Sequence, residues 1–462
     1  MDQFIHIVAI VFWGLLILSV LVYIHEAGHF IAARIMGLRV REFFIGLPCR
    51  IRLSRVSKKT GTAYGITPLL MGGYTLICGM EGSESQCLPR VLAYVYKQGS
   101  TTVASAAQDL HLDEIEIETA LLTLCDWGSI EETEDGFQTL ARDAHMRTIY
   151  DKGHNFSEAG STLAGEPHPF AGTQKAFLQQ EHSHTYQTLG FWGRAFVLIN
   201  GIFINIVAGF TILVLTLSCL GITGASNSTT IGSVDDGSLA AAVGLKAGDT
   251  IVAIDNHEVL SWNEMAEAVS SASETAQPYS VAVLSSAPSN DGSAPLSEGD
   301  AASFVRTFTI EPKSPGEKLG IRATTTQVHL SLSDACVAAA SYIGMTAAAI
   351  AQLFNPAHFQ EVLSQSSSVV GISVMAADAA EKGITSLLIL TAAISLSLGF
   401  MNLLPIPPLD GGKILIEAIS SIIRRPVPIK IQRIISYVGV LLFILLFIVL
   451  LKQDIVRYIF GG

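Results

Sequence analysis

The chain has 462 residues, 50% of them hydrophobic and only 15% charged, with a mean hydropathy of +0.46. Soluble domains carry about 25% charged residues, so this balance points to a membrane protein with soluble parts. A formal net charge of −12, from 28 Lys and Arg against 40 Asp and Glu, argues against a nucleic-acid partner.

The six cysteines (Cys49, Cys78, Cys87, Cys125, Cys219 and Cys336) are scattered, without the CxxC spacing of a zinc ribbon or the pattern of a disulfide framework. They read as small buried or idle thiols. Residues 1–33 contain no Lys or Arg, so the basic start of a cleavable signal peptide is missing. The first apolar run therefore reads as a retained membrane helix.

Taken in chain order, four segments are long and apolar enough to span: 4–33, 195–222, 384–404 and 434–451. Arg34, Arg39, Arg41, Arg50, Arg52, Arg55, Lys58 and Lys59 follow the first; Arg194 precedes the second; Arg424, Arg425, Lys430 and Arg433 separate the third and fourth. All three groups fall on the cytoplasmic side if both termini lie outside. That places 34–193 and 405–433 inside and 223–383 outside.

Within the first span, "LVYIHEAGHFIAAR" carries His25, Glu26 and His29 in the pattern H-E-x-x-H. On a helix, positions i and i+4 share a face, so both imidazoles can reach one Zn²⁺, with Glu26 placed to act on the metal's water. Left without a metal, Glu26 would be an unpaired carboxylate in an apolar helix, which is costly. The next charge, Arg34, lies about 12 Å of helix rise further on, so the motif sits at bilayer depth near the cytoplasmic side.

Residues 87–151 read as three helices followed by a hairpin, a winged-helix-like order. Asp109, Asp113, Glu114, Glu116, Glu118, Asp126, Glu131, Glu132, Glu134 and Asp135 make this insertion acidic, so it suits a protein partner rather than DNA. Residues 152–193 are expected as a flexible tether. Its Gly-, Ser- and His-rich stretch carries His154, His168, His182 and His184, for which a solvated linker is the simpler reading than a weak metal patch.

Outside the membrane, "IGSVDDGSLAAAVGLKAGDTIVAIDNHEV" (231–259) gives a short helix, a Gly-rich turn and a strand. This resembles a PDZ domain, placed at 223–315, with a candidate peptide ligand. Residues 286–303 read as a disordered loop within it. Residues 316–383 form a linker region, in which 333–354 read as an amphipathic surface helix.

Catalytic zinc takes three protein ligands and an open position. The soluble metzincin pattern would put a third His at position 35, which is Ile35. The third span offers another donor in "GFMNLLPIPPLDGG" (399–412). Pro405, Pro407 and Pro408 cannot continue a helix, and broken helix at membrane depth is tolerated where it lines a cavity. Asp410 is then free to turn towards the same metal, although LDGG alone would read as a simple turn.

HEAGH on the first span, NLLPIPPLDGG on the third and a PDZ-like region between them resemble bacterial site-2 proteases, especially the regulator-of-sigma-E type. The resemblance covers about two thirds of the chain. It implies a zinc intramembrane metalloprotease that cleaves transmembrane segments, such as those of anti-sigma factors or signal-peptide remnants. It also implies His25, His29 and Asp410 as zinc ligands, Glu26 as general base, and Asn402 as a contact to substrate or oxyanion. "YGITPLLMGGYTLI" (64–77) resembles the family's membrane-reentrant β-hairpin, in which Gly72, Gly73 and Tyr74 would hold an extended substrate. "VLINGIFINIVAG" resembles the second span's G-P-x-x-N, with Asn205 kept and Ile202 in the proline's place. "SSSVVGISV" (366–374) keeps only Gly371 and Ile372 of a G-P-x-G-I element. The single PDZ-like region and the insertion depart from the tandem-PDZ pattern.

The expected architecture is thus a multi-span α-helical membrane protein with four transmembrane helices, a reentrant β-hairpin, one α+β PDZ domain and an inserted winged-helix-like module. Two other classes compete: a silent PDZ membrane adaptor and a metal transporter. The absence of an internal repeat argues against the transporter.

Overall fold

The computed structural model describes residues 2–80, 85–170, 172–274, 277–285, 304–312, 314, 316–425 and 427–459. The described chain forms two compact units, 1–215 with 332–462, and 216–331.

The first unit begins with α1 (Asp2–Ile35), 34 residues of helix and so about 51 Å long, more than a bilayer's hydrocarbon thickness. Four strands follow: β1 (Val40–Ile45), β2 (Leu53–Val56), β3 (Ala63–Ile66) and β4 (Gly73–Ile77). They form one sheet in the order β2-β3-β1-β4.

Strands β3 and β4, expected as the two arms of one hairpin, lie on opposite sides of β1. β3 pairs with it in parallel (Phe44 beside Gly65) and β4 antiparallel (Phe44 beside Tyr74). The hairpin in this sheet is β2–β3, with Val56 opposite Ala63. The reason is backbone accounting: β1 has polar groups on both edges, and both must be paired. Residues 67–72 then wrap its end, where Thr67 donates to the Ile45 carbonyl (2.9 Å) and Gly46 to that of Gly72 (2.6 Å). Gly46 and Gly72 have φ of +91° and +142°, conformations that favour glycine. Ile51, Leu53, Ile66, Leu69 and Met71 leave an apolar surface on this sheet and its loops.

The insertion consists of α2 (Leu88–Gln98), β5 (Ser100–Thr101), α3 (Val103–Leu110), α4 (Glu114–Asp126), β6 (Ile130–Thr133) and β7 (Gly136–Thr139). The strands pair in the order β5-β7-β6. Thr102 and Asp113 cap α3 and α4 by accepting from backbone N–H groups two or three residues on. Val91, Leu92, Val95, Ile117, Leu121 and Leu124 form its core.

The stretch expected as a flexible tether is instead packed onto that core. Its helix α5 (Gln174–His182) buries Phe177 among the core side chains and Glu181 between two arginines. Its polar composition hides this, because the contacts that order it are buried ion pairs. Of the four histidines there, His154 bonds the Asp151 and Lys58 carbonyls, His168 bonds Thr162, His182 lies beside Thr188 and His184 beside the Asp151 carboxylate. All six cysteines are free, and burial pushes the Cys78 and Cys125 thiols up to about 12, in keeping with idle thiols.

Helix α6 (Phe191–Leu215) packs along α1. The second unit then begins, and contains β8 (Ile222–Ala225), β9 (Ile231–Val234), α7 (Leu239–Val243), β10 (Thr250–Ile254), β11 (His257–Glu258), α8 (Trp262–Glu274), β12 (Tyr279–Ser285), β13 (Phe304–Ile310), β14 (Ile321–Ala323) and β15 (Thr325–Val328). A sheet β11-β10-β12-β13 and the pair β9–β14 enclose Ile231, Leu245, Ile251, Val281, Val283 and Ile310. Gly244, at φ +87°, ends α7. Residues 286–303, read as a disordered loop, lie outside the described residues.

The first unit resumes with α9 (Leu332–Ala351), α10 (Phe359–Gln365), α11 (Val369–Lys382), α12 (Ile384–Asn402), α13 (Asp410–Ile423) and α14 (Ile429–Ile459). Among the described residues five helices, not four, are long and apolar enough to cross a membrane; the addition is Leu332–Phe354. Its alanine-rich sequence has a mean hydropathy of 1.5 against 2.0–3.1 for the others, which is why it reads as a surface helix.

Candidate metal centre

His25 and His29 lie one turn apart on α1, and Asp410 opens α13 after the proline-rich break. The structure brings these three together: His25 Nε2 and His29 Nε2 each lie 3.0 Å from Asp410 Oδ2 and 3.2 Å from one another. All three are buried, and they form the one such group of His, Cys, Asp and Glu side chains among the described residues.

Close backbone approach makes this convergence geometrically possible. A Cβ on Gly201 of α6 would stand 2.5 Å from His29 Nε2, and one on Gly28 of α1 would collide with the Asn200 carbonyl. Small residues let the two helices approach closely, as is common between membrane helices. Gly411 and Gly412 serve the same end, because a side chain there would run into the backbone of Leu403–Pro407. Asp410 thus stands at a helix N-terminus, where a carboxylate is favoured. Lys413 approaches its other oxygen at 3.7 Å.

The ring nitrogens that face away from the cluster also have neighbours. His29 Nδ1 lies 2.9 Å from the Val197 carbonyl, an arrangement that leaves Nε2 free to bind a cation. His25 Nδ1 lies 3.4 Å from Asn205 Nδ2. Asn205 is fully buried, and Ser395 bonds its carbonyl.

The remaining predicted residues do not join the cluster. Glu26 is half-buried next to His25, and its carbonyl accepts from Thr75 Oγ1 of β4 at 3.1 Å. Tyr74 stacks on Phe44 and donates its hydroxyl to Glu42 at 2.6 Å. Gly73 backs onto α1, where a Cβ would reach Tyr23 at 3.4 Å. Gly72 lies in the loop before β4, and Asn402 is the last residue of α12.

The donor set fits zinc. Tetrahedral ligands at about 2.0–2.1 Å stand about 3.3 Å apart, close to the 3.0–3.2 Å seen between these three atoms. Two imidazoles and one carboxylate supply three protein ligands and leave a fourth position, as catalytic zinc requires.

The family model for peptidase family M50 matches residues 13–446. The chain belongs to that family. A protein of Streptococcus pyogenes serotype M6, named as a candidate zinc metalloprotease, is 27% identical over 448 residues, covering 96% of this chain and 98% of the relative. The regulator of sigma-W protease RasP of Bacillus subtilis is 27% identical over 451 residues, covering 96% and 97%. This M50 protein is accordingly a zinc metalloprotease with several membrane-length helices. Membership favours a working protease over the adaptor and transporter alternatives.

The sequence carries no mark of the Val197 carbonyl, and Gly201 and Asn205 stand in it only as positions of the G-P-x-x-N pattern. The available signal was a buried amide in an apolar span, four residues after a glycine.

Proposed function

We propose that this M50 protein is an intramembrane endopeptidase that cleaves transmembrane segments of other membrane proteins. The observation that carries this reading is the buried cluster of His25 and His29, on a helix of membrane length, with Asp410 at the start of α13. These three residues would hold Zn²⁺, which supplies Lewis-acid polarisation of the scissile carbonyl and acidifies water. Glu26, beside His25, would take the proton from water and pass it to the leaving amine. Asn402 would contact the substrate or its developing oxyanion.

A helical peptide bond is shielded by its own hydrogen bonds, so the substrate must unwind. β4 is an edge strand tied to α1 through Thr75 and the Glu26 carbonyl, which supports a role for Gly72, Gly73 and Tyr74 in holding an extended substrate alongside it. The lipid bilayer is the medium, and the basic residues after α1 support an N-terminus outside and a site near the cytoplasmic face. Residues 216–331 would act as a PDZ domain, binding a peptide or admitting only shortened substrates. The acidic insertion would dock a protein partner. RasP is named for sigma-W regulation, and an anti-sigma factor or a signal-peptide remnant is a fitting substrate class here as well.

The test is Glu26→Gln, expected to keep fold and zinc while losing at least about 10³-fold in cleavage of a transmembrane substrate in detergent or vesicles. Retained proteolysis would refute the mechanism.

A further inference from the structure

The two imidazoles of the cluster are prepared for a metal in different ways. His29 Nδ1 faces a backbone carbonyl, which can only accept, so His29 is held with its proton on Nδ1 and its Nε2 lone pair free. His25 Nδ1 faces the amide nitrogen of Asn205, which can only donate. To bind zinc through Nε2, which lies 3.0 Å from Asp410 Oδ2, His25 must carry its proton on Nδ1, and that N–H then needs an acceptor in a buried place.

The acceptor is already present on the same side chain. Asn205 Oδ1 is buried and has no hydrogen-bond partner, an omission that costs about 1–3 kcal/mol when left unanswered. The two ends of a carboxamide have nearly the same shape and opposite hydrogen-bonding character. Turned end for end, the amide would put Oδ1 beside Nδ1–H and pair both groups.

We propose that Asn205 is a positioning residue whose acceptor end fixes the metal-binding tautomer of His25. Leucine offers neither end, and aspartate offers only the acceptor. This inference rests on the zinc reading of His25, His29 and Asp410.

The experiment uses the full chain in detergent, with Zn²⁺ affinity measured against a chromophoric chelator and folding checked by thermal melting without metal. Asn205→Leu is expected to bind Zn²⁺ about 10–100-fold more weakly, the usual cost of removing such a partner. Asn205→Asp is expected to bind at least as tightly as the unaltered chain. With Co²⁺ as the probe, Asn205→Asp should give the d–d absorption of the unaltered chain and Asn205→Leu a shifted one. Unchanged affinity in Asn205→Leu would overturn the proposal, as would a loss in Asn205→Asp. If Asn205→Leu fails to fold, the affinity and spectrum of Asn205→Asp decide alone. Failure of the unaltered chain to bind Zn²⁺ would instead remove the reading of the site itself.

Discussion

Two buried polar clusters in the first unit face the same desolvation problem and answer it differently. In one, Arg39 and Arg142 meet Asp151 and Glu181, two positive charges against two negative. Arg39 makes a paired contact with Asp151 at 2.8 Å through both Nε and Nη2, and Nη1 reaches Glu181 at 2.9 Å. Arg142 bonds both Glu181 oxygens at 2.7 Å and also the Tyr96 hydroxyl. Burying each ion costs several kcal/mol, which only such complete pairing offsets. In the other cluster, two imidazoles and a carboxylate turn their nitrogens and one oxygen towards a common point, and an amide oxygen nearby has no partner. The first set is complete within the chain; the second presents a donor set that fits a cation. Burial and polarity alone would not separate a structural cluster from a catalytic one. The convergence of three donor atoms on one point does.

The largest effect should come from breaking the second cluster. Asp410→Ala should abolish stoichiometric Zn²⁺ binding and proteolysis together, yet leave the metal-free melting temperature nearly unchanged. Metal analysis beside a melt checks both halves. A large fall in melting temperature without metal would mean that Asp410 is structural and would remove the contrast. Next in size is Glu181→Leu, which leaves the buried Arg142 guanidinium without a carboxylate and takes one of two from Arg39. Removing one partner of a buried pair costs about 3–5 kcal/mol, here in the insertion and α5, and limited proteolysis of residues 141–185 should read it. Full resistance to the protease would show that this network does not hold the segment down.

The chemistry of the centre was legible because its signals are short-range or paired: His25 and His29 share a helix face, and the prolines before Asp410 announce a broken helix. What stayed hidden depends on contacts far apart in sequence. Residues 73–77 read as a partner of 63–66, since neither carries a mark of the strand β1 that runs between them. The α5 segment reads as linker because Glu181 has its partners 39 and 142 residues away, at Arg142 and Arg39. Leu332–Phe354 has alanine where the other membrane-length helices have leucine, so its hydropathy is the lowest of the five among the described residues. The amide of Asn205 was visible, but its task appears only once His25 stands beside it.

The smallest effect is a titration, and it separates carboxylate from histidine control of the balanced cluster. Burial alone would raise the Glu181 carboxyl, but the guanidiniums of Arg142 and Arg39 outweigh it and hold it well below the usual carboxylate range. Asp151 is lowered in the same way, burial being overcome by Arg39. A carboxyl with a depressed folded pKa contributes its full stability above the unfolded value, about 4.3 for Glu. That contribution fades as the pH falls from there towards the folded pKa, at about 1.4 kcal/mol per unit for each group. Hydrogen exchange in residues 174–185, corrected for its intrinsic pH dependence, should therefore show constant protection from pH 7 to about 5 and a decline only below about 4. Glu181→Gln should start from lower protection at pH 7 and show a shallower acid decline, with Asp151 alone contributing. Two histidines face this network, His184 at 3.8 Å from Asp151 and His168 against the Tyr96 ring. A loss of protection between pH 7 and 5 would assign the segment's hold to one of those imidazoles rather than to the paired carboxylates.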